Sequence, residues 1–569
     1  MPRPSITTVY EDFIWLNEEV ELAERLYGTP PKTFGGNSER MIKLLAAYEK
    51  TGWHSADRMK KLQKTLLRIN KELGTLTPKV KGNIENLHRG AIEAAHQSAI
   101  LGGPTFILNK GATAERIASF NSTEEHPLSP FFCIADYDIV QNELTHMRTP
   151  LMGSGGTLMS IPIPEGFEYS PVSVIPLPEY SWFEQVEEDI RSGYRPMFKN
   201  LEGNTRFLFE ERLETSLMII RSAFVNTKTL GAWATRILGH LFNIQGNLGL
   251  PLLPASDKEI RELWALGMEL LLQKDNRLKL IEIHGQATEL IQNRGYETGI
   301  GSRSDEYVPF YYECTSESCN RSRTELSYID KGTQALLQGR CPSCGDILEI
   351  EVDAFAPDLS DVCHDLSPRV DTRQMIIDTS LPILAHAGGP GETAYYAQVI
   401  PVAKELNYPF PLYVKYPRIY YNTPWNESLA KELKEKEHPV LHNGEMFKPL
   451  GKVSRFRGKD RIDDMNEQLH QLASIIKDTH GSLNASLKQL TTRIETDPSE
   501  DNLQEKVDLE RYLSWVYGQY AEGKMSQESS WVWIDWAINT GFADLFGPYQ
   551  RAYVMGMKHG ATYFVNFVV

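Results

Sequence analysis

The chain has 569 residues and a mass of 64.6 kDa, with 41% hydrophobic and 24% charged residues, the make-up of a folded globular protein. Its net charge of −16 and isoelectric point near 5.5 exclude a general electrostatic attraction to nucleic acid or to an anionic membrane. The start, with Pro2 and Pro4, lacks a basic stretch followed by an apolar one, and no apolar run reaches about 18 residues, so neither a secretory signal nor a membrane span is expected and the cytoplasm is the simplest compartment.

Length alone predicts roughly three or four units. The first 90 residues read as mainly helical, with apolar positions at three- and four-residue spacing over 41–51 and 57–73. An apolar strand at 91–95 then leads into His96-Gln97-Ser98 and a glycine loop ending in Gly103-Pro104. A helix carrying Lys110 is expected over 105–120, followed by a strand at 130–135 and the acidic loop Asp136-Tyr137-Asp138. This order predicts a βαβ unit. In open α/β sheets ligands gather at the carboxyl ends of strands, which makes His96, Gln97, Asp136 and Asp138 candidate site residues. A hydrogen-bonded strand-end histidine and capping or solvated loop aspartates are the structural alternatives. The G-x-G-x-x-G dinucleotide fingerprint and the P-loop are both absent.

Between 147 and 300 the sequence predicts a flexible loop at 153–157, an irregular proline-rich connection at 161–178, and helices over 183–191, 205–221, 227–243 and 257–294. Four of the six cysteines then fall within 31 positions, as Cys314/Cys319 and Cys341/Cys344. Gly345 allows the tight turn that aims the second pair at one ion, and 21 residues separate the pairs, so a tetrahedral structural zinc site in a small ribbon over 309–351 is expected in preference to disulfides or free thiols. Cys133 and Cys363 stand apart.

The run 381–387 followed by Gly388-Gly389-Pro390-Gly391-Glu392 predicts a buried strand, a tight loop and a helix start. Backbone N–H groups there suit a carboxylate or phosphate. From 425 onward, Leu469, Leu472, Ile476, Leu483, Leu487, Leu490 and Ile494 approach a 3–4 alternation broken at 479–482, which predicts an antiparallel helical pair or short coiled coil. The aromatic tail, 515–567, is expected to fold back into a core. The basic stretch 452–458 resembles the lysine-serine loop of class I aminoacyl-tRNA synthetases, although no His-x-Gly-His partner motif is present.

Three stretches carry a broader resemblance. The first runs from Asp378-Thr379-Ser380-Leu381-Pro382 through Gly388 to Glu392 and on to Ala394-Tyr395-Tyr396-Ala397-Gln398, with Tyr416-Pro417-Arg418 beyond. The second is Gln97 with Gly103-Pro104 and Lys110; the third is Asp136-Tyr137-Asp138 with Glu143 to His146. Together they are similar to the bacillithiol biosynthesis cysteine-adding enzymes, the BshC family. His96, Ser98 and Tyr137 depart from the family's glycine, glutamine and histidine, and the four-cysteine ribbon looks like an insertion.

The residue patterns and the resemblance together predict an α/β fold with a Rossmann-like parallel-sheet core and a C-terminal helical coiled coil, the inserted helical and zinc-ribbon subdomains being read from the residues themselves. Boundaries are expected at 1–150, 151–305, 306–355, 356–425 and 426–569. The resemblance also implies a carbon–nitrogen ligase adding cysteine to an amino-sugar conjugate such as glucosaminyl malate, with homodimerisation through the C-terminal helices. Amide formation from a free carboxylate is uphill in water, so ATP or another nucleotide is expected beside the structural zinc. His96, Asp136, Asp138 and Glu392 are the expected proton-transfer or amine-binding groups. Gln97, Gly103, Pro104, Lys110, Gly388, Gly389, Gly391, Tyr395 and Arg418 are the expected binding residues, with Lys110 and Arg418 neutralising developing negative charge. A synthetase-like adenylating enzyme and a non-catalytic zinc-ribbon and coiled-coil assembly protein remain the alternatives.

Overall fold

The computed structural model describes residues 3–149, 158–198, 201, 203–440, 452, 461–520 and 527–567. The 153–157 loop, and the 452–458 stretch apart from Lys452, lie outside the described residues.

The centre is a five-stranded parallel sheet built from Ala91–Gln97, Ser129–Ala135, Leu252–Pro254, Ile383–Gly388 and Leu412–Lys415. In space the order is 412, 383, 91, 129, 252, naming each strand by its first residue. Read from the 252 edge, this is the 3-2-1-4-5 order of a Rossmann-like sheet, with its switch point between Ala91–Gln97 and Ile383–Gly388. The strands are apolar because both faces are covered. Ile92, Phe132 and Ile134 enter one core beside the helix Phe106–Asn121 and the tail tryptophans Trp533 and Trp536. Ala91, Phe131 and Cys133 enter a second core beside Tyr10, Leu66 and Trp264.

The edge strand Leu252–Pro254 comes from the region expected to be mainly helical. The single helix expected over 257–294 is instead two, Lys258–Leu272 and Lys274–Asn293. Gln273 between them has an extended backbone (φ −48°, ψ 131°), and the Lys274 N–H leaves the helix to donate to Ala354 at 2.8 Å. Apolar periodicity continues through such a break because both helices face the same core.

The cysteine-bearing region is an antiparallel sheet of five strands, in the order Leu366–Pro368, Tyr307–Glu313, Arg323–Asp330, Gln334–Arg340 and Ile347–Asp353. Leu326, Tyr328 and Leu337 join the second core, so this sheet is docked on the α/β unit. Beyond the central sheet, Ile462–Thr496 and Glu500–Tyr520 form a hairpin of long helices within the chain, continuous through 479–482. Leu483 and Leu490 are buried, and Leu487 and Ile494 half-buried. The final strand, Thr562–Asn566, pairs in parallel with Arg418–Asn422, returning the tail to the core.

Candidate active site and metal centre

A chain of buried charges crosses the switch point. Glu93 and His386 are register partners on adjacent parallel strands, both fully buried. The Glu93 carboxylate accepts from Arg373 and, at 2.9 Å, from His386 Nδ1. His386 Nε2 lies 3.4 Å from Glu392 Oε1, and both Glu392 oxygens accept from Lys110 Nζ at 2.8 and 2.9 Å. Lys110 also donates to the Ala95 carbonyl at 3.0 Å. Two carboxylates thus alternate with three cationic groups, the arrangement that lets charge stay inside a low-dielectric core.

Burial opposes ionisation throughout this chain, but the partners outweigh it. Arg373 and His386 hold Glu93 down at about 2. Lys110 and His386 hold Glu392 well below the usual carboxylate range. His386 is raised, through Glu93 first and then Glu392. Both carboxylates thus favour the imidazolium form of the ring between them.

The glycine loop closes around this chain. Glu392 Oε2 accepts the Gly389 N–H at 2.6 Å, so the start of helix Pro390–Glu405 is capped by a side chain of its own first turn. A Cβ on Gly388 would fall 2.4 Å from the Tyr413 ring, and one on Gly389 2.8 Å from the Tyr416 ring; tyrosine packing therefore demands both glycines. Gly391 faces open space. Tyr395 is half-buried on the same helix. Arg418 lines a cavity of about 80 Å³ with Pro390, Lys415, Tyr416 and the buried Glu528.

His96 is half-buried, with Nδ1 2.8 Å from the Gln97 carbonyl and its ring edge-on to Phe106. Burial, reinforced by Lys110, lowers it to about 4, so the imidazole is neutral at neutral pH. Gly103 (φ +86°) and Pro104 are packed beneath the C-terminal tail: Pro104 bridges to Val532, and Trp533 Nε1 donates to Leu101 at 2.7 Å.

The acidic loop has two different carboxylates. Asp136 is buried, accepts from the Ser256 N–H at 2.8 Å and from the Ser256 hydroxyl, and is pushed by burial up to about 6. Asp138 accepts from Gln97 Nε2 at 2.6 Å and from Arg323 Nη1 at 2.9 Å.

Sequence reasoning placed Lys110 and Glu392 in separate roles and passed over Glu93, His386 and Arg373. The available signal was the interruption of two apolar strand runs, Ala91-Ile92-Glu93-Ala94-Ala95 and Ile383-Leu384-Ala385-His386-Ala387, by ionisable residues. In a strand buried on both faces, such a residue requires a buried partner.

The four cysteines Cys314, Cys319, Cys341 and Cys344 converge, with all four sulfurs within 4.8 Å of one another. Cys314 and Cys344 are 3.7 Å apart and Cys319 and Cys341 3.6 Å, too far for disulfides. A tetrahedron with metal–sulfur bonds of about 2.3 Å places its sulfurs about 3.8 Å apart, so the donor set and spacing fit a closed four-thiolate zinc site. Among the described residues this is the cluster suited to a metal, and no described helix is long and apolar enough to cross a membrane.

The family model for bacillithiol biosynthesis BshC, N-terminal Rossmann-like domain, matches residues 32–419, which span the whole parallel sheet and the charge chain. The chain belongs to the BshC family. Relatives named "Putative cysteine ligase BshC" include one from Staphylococcus saprophyticus, 22% identical with 69% of this chain and 68% of that protein covered. A Lysinibacillus sphaericus relative of the same name is 23% identical over 78% of each chain. One from Natranaerobius thermophilus is 24% identical over 74% of this chain and 70% of its own. The BshC match ends at the start of the Arg418–Asn422 strand, so the long helical hairpin lies beyond it.

Proposed function

We propose that this protein is a BshC-type ligase that forms an amide between the carboxyl of cysteine, or a similar amino acid, and the amine of an amino-sugar conjugate such as glucosaminyl malate. The observation that carries this reading is the buried charge chain from Arg373 to Lys110 at the switch point of a sheet whose family relatives are named cysteine ligases. ATP or another nucleotide would supply the activated carboxyl that amide formation in water requires.

The residues divide by their acidity. Glu392 is a weak base, because its charge is tied to Lys110 and His386; in this reading it fixes Lys110 beside the glycine loop. Lys110 and the open Gly391 end of the loop face the carboxylate being activated and the phosphate that leaves as the amine attacks, with Arg418 lining the cavity beside Pro390. Asp136, raised to about 6, is the acidic-loop carboxylate moved toward neutral pH and takes the proton that the attacking amine loses as the C–N bond forms. Asp138 and Gln97 orient that amine. Zinc at the four cysteines is structural, since a closed thiolate set leaves no open coordination position.

The test is mass spectrometry of the purified protein with ATP, cysteine and glucosaminyl malate. The cysteinyl conjugate should form, and Asp136→Asn should lower kcat by about 10² to 10⁴, the usual contribution of a positioned base. No conjugate from the complete mixture rejects these substrates; an Asp136→Asn enzyme of undiminished kcat rejects the base.

A further inference from the structure

The four-cysteine sheet reaches the acidic loop through the turn that carries its first cysteine pair. Arg323 follows Cys319 by four positions and begins the strand Arg323–Asp330. Its guanidinium, 9% exposed, donates to Asp138 at 2.9 Å, to Ser367 Oγ at 3.0 Å and to the Pro368 carbonyl at 2.7 Å. It also lies 5.0 Å from the centre of the Tyr137 ring and 4.2 Å from that of Tyr311. Each of its three nitrogens thus donates one hydrogen bond, and one of those bonds fixes the carboxylate that also accepts from Gln97.

A second connection runs mainly through backbone. The Arg323 N–H donates to the Tyr169 carbonyl at 2.8 Å, and the Ser170 hydroxyl donates to Asn320 at 2.5 Å. Two and three residues further on, the N–H groups of Val172 and Ser173 donate to the carbonyls of Asp138 and Asp136, both at 2.9 Å. The 169–173 strap is therefore bonded on one side to the cysteine turn and on the other to the acidic loop.

The base of the cysteine turn is held by the Glu313–Arg323 register pair and by Arg321, which donates to Glu313 at 2.9 and 3.2 Å and to Asp365 at 2.8 Å. The Cys314 N–H donates to the Ser322 carbonyl at 3.0 Å, and the Ser322 N–H, next to Arg323, approaches Cys319 Sγ at 3.4 Å, so a sulfur of the metal-suited set bonds directly to the backbone that leads into Arg323. Small ribbons of this kind take their folding energy from the bound ion.

We propose that the four-cysteine centre is a positioning element of the active site: metal bound there folds the 314–323 turn, which through Arg323 and the 169–173 strap sets the acidic loop 136–138. Arg323 is a positioning residue for Asp138. This rests on the reading above only in taking the acidic loop as part of the ligase site.

The test is amide hydrogen exchange on the full-length protein, loaded with zinc and then stripped by a chelator, with no substrate present. Stripping should speed exchange over 136–146 and 169–173 by about tenfold, the size expected when a charge-assisted hydrogen bond is lost from a local opening. Added zinc should restore protection. Arg323→Gln should speed exchange over 136–146 while keeping one zinc per chain, and Asp138→Asn should give the same pattern from the other side of the pair. Faster exchange confined to 314–345 on stripping, unchanged exchange in both variants, or failure to bind zinc overturns the proposal. Because exchange needs no turnover, an enzyme that made no cysteinyl conjugate would leave this result standing.

Discussion

Glu93 sits at the third position of a strand buried on both faces, and its charge persists there only because Arg373 and His386 reach it from separate segments. Glu93→Gln would leave two buried cations facing a neutral amide. The expected cost is about 3–5 kcal/mol, measured as a lower midpoint in denaturant with unchanged slope. Because its folded acidity lies below that of a free carboxyl, Glu93 contributes stability above about pH 4.5 that is lost as pH falls toward about 2. Glu528 has the opposite sign. It is buried, accepts from the Ile419 N–H at 2.9 Å and Asn109 Nδ2 at 3.0 Å, and burial pushes it up to about 8. Its stabilising contribution is full below about pH 4.5 and is lost as pH rises through about 8. The Tm should therefore fall between pH 6 and 9, and Glu528→Gln should flatten that slope; an unchanged slope would show that Glu528 does not govern it.

Individual elements were legible where they carried a period or a turn signal. The sequence readings of helices at 41–51, 57–73 and 105–120 correspond to Ser38–Thr51, Ala56–Glu72 and Phe106–Asn121. The three-residue strand Leu252–Pro254 was not legible, because a segment that short has no period to detect. The break at Gln273 was hidden for a different reason: its cause, the Ala354 carbonyl, lies 81 positions away. The cysteine pairs were visible as spacing, and the fold brings their sulfurs together. Cys341→Ser should lower zinc from one equivalent to below about half an equivalent per chain and destabilise the attached sheet, measured by metal analysis and thermal melting.

At the scale of the molecule, the parallel sheet gathers its strands from residues 91 to 415, and the inserted segments between them supply the Leu252–Pro254 strand, Ser256 on Asp136 and Arg323 on Asp138. The tail then closes the structure. Trp531 accepts from the Thr105 N–H at 3.0 Å, and the last strand pairs beside Arg418, placing C-terminal residues against both glycine loops. By itself the sequence determined the α/β class, the βαβ start, the glycine loop, the BshC resemblance and the four metal-suited cysteines, because each is written in local spacing or in a contiguous motif. Only the tertiary structure decided that Lys110 and Glu392 are one ion pair, that Glu93, His386 and Arg373 extend it, and that Arg323 of the cysteine-bearing sheet holds Asp138. These are contacts between segments up to about 300 residues apart, and a buried charge finds its partner through the fold, where local periodicity carries no record of it.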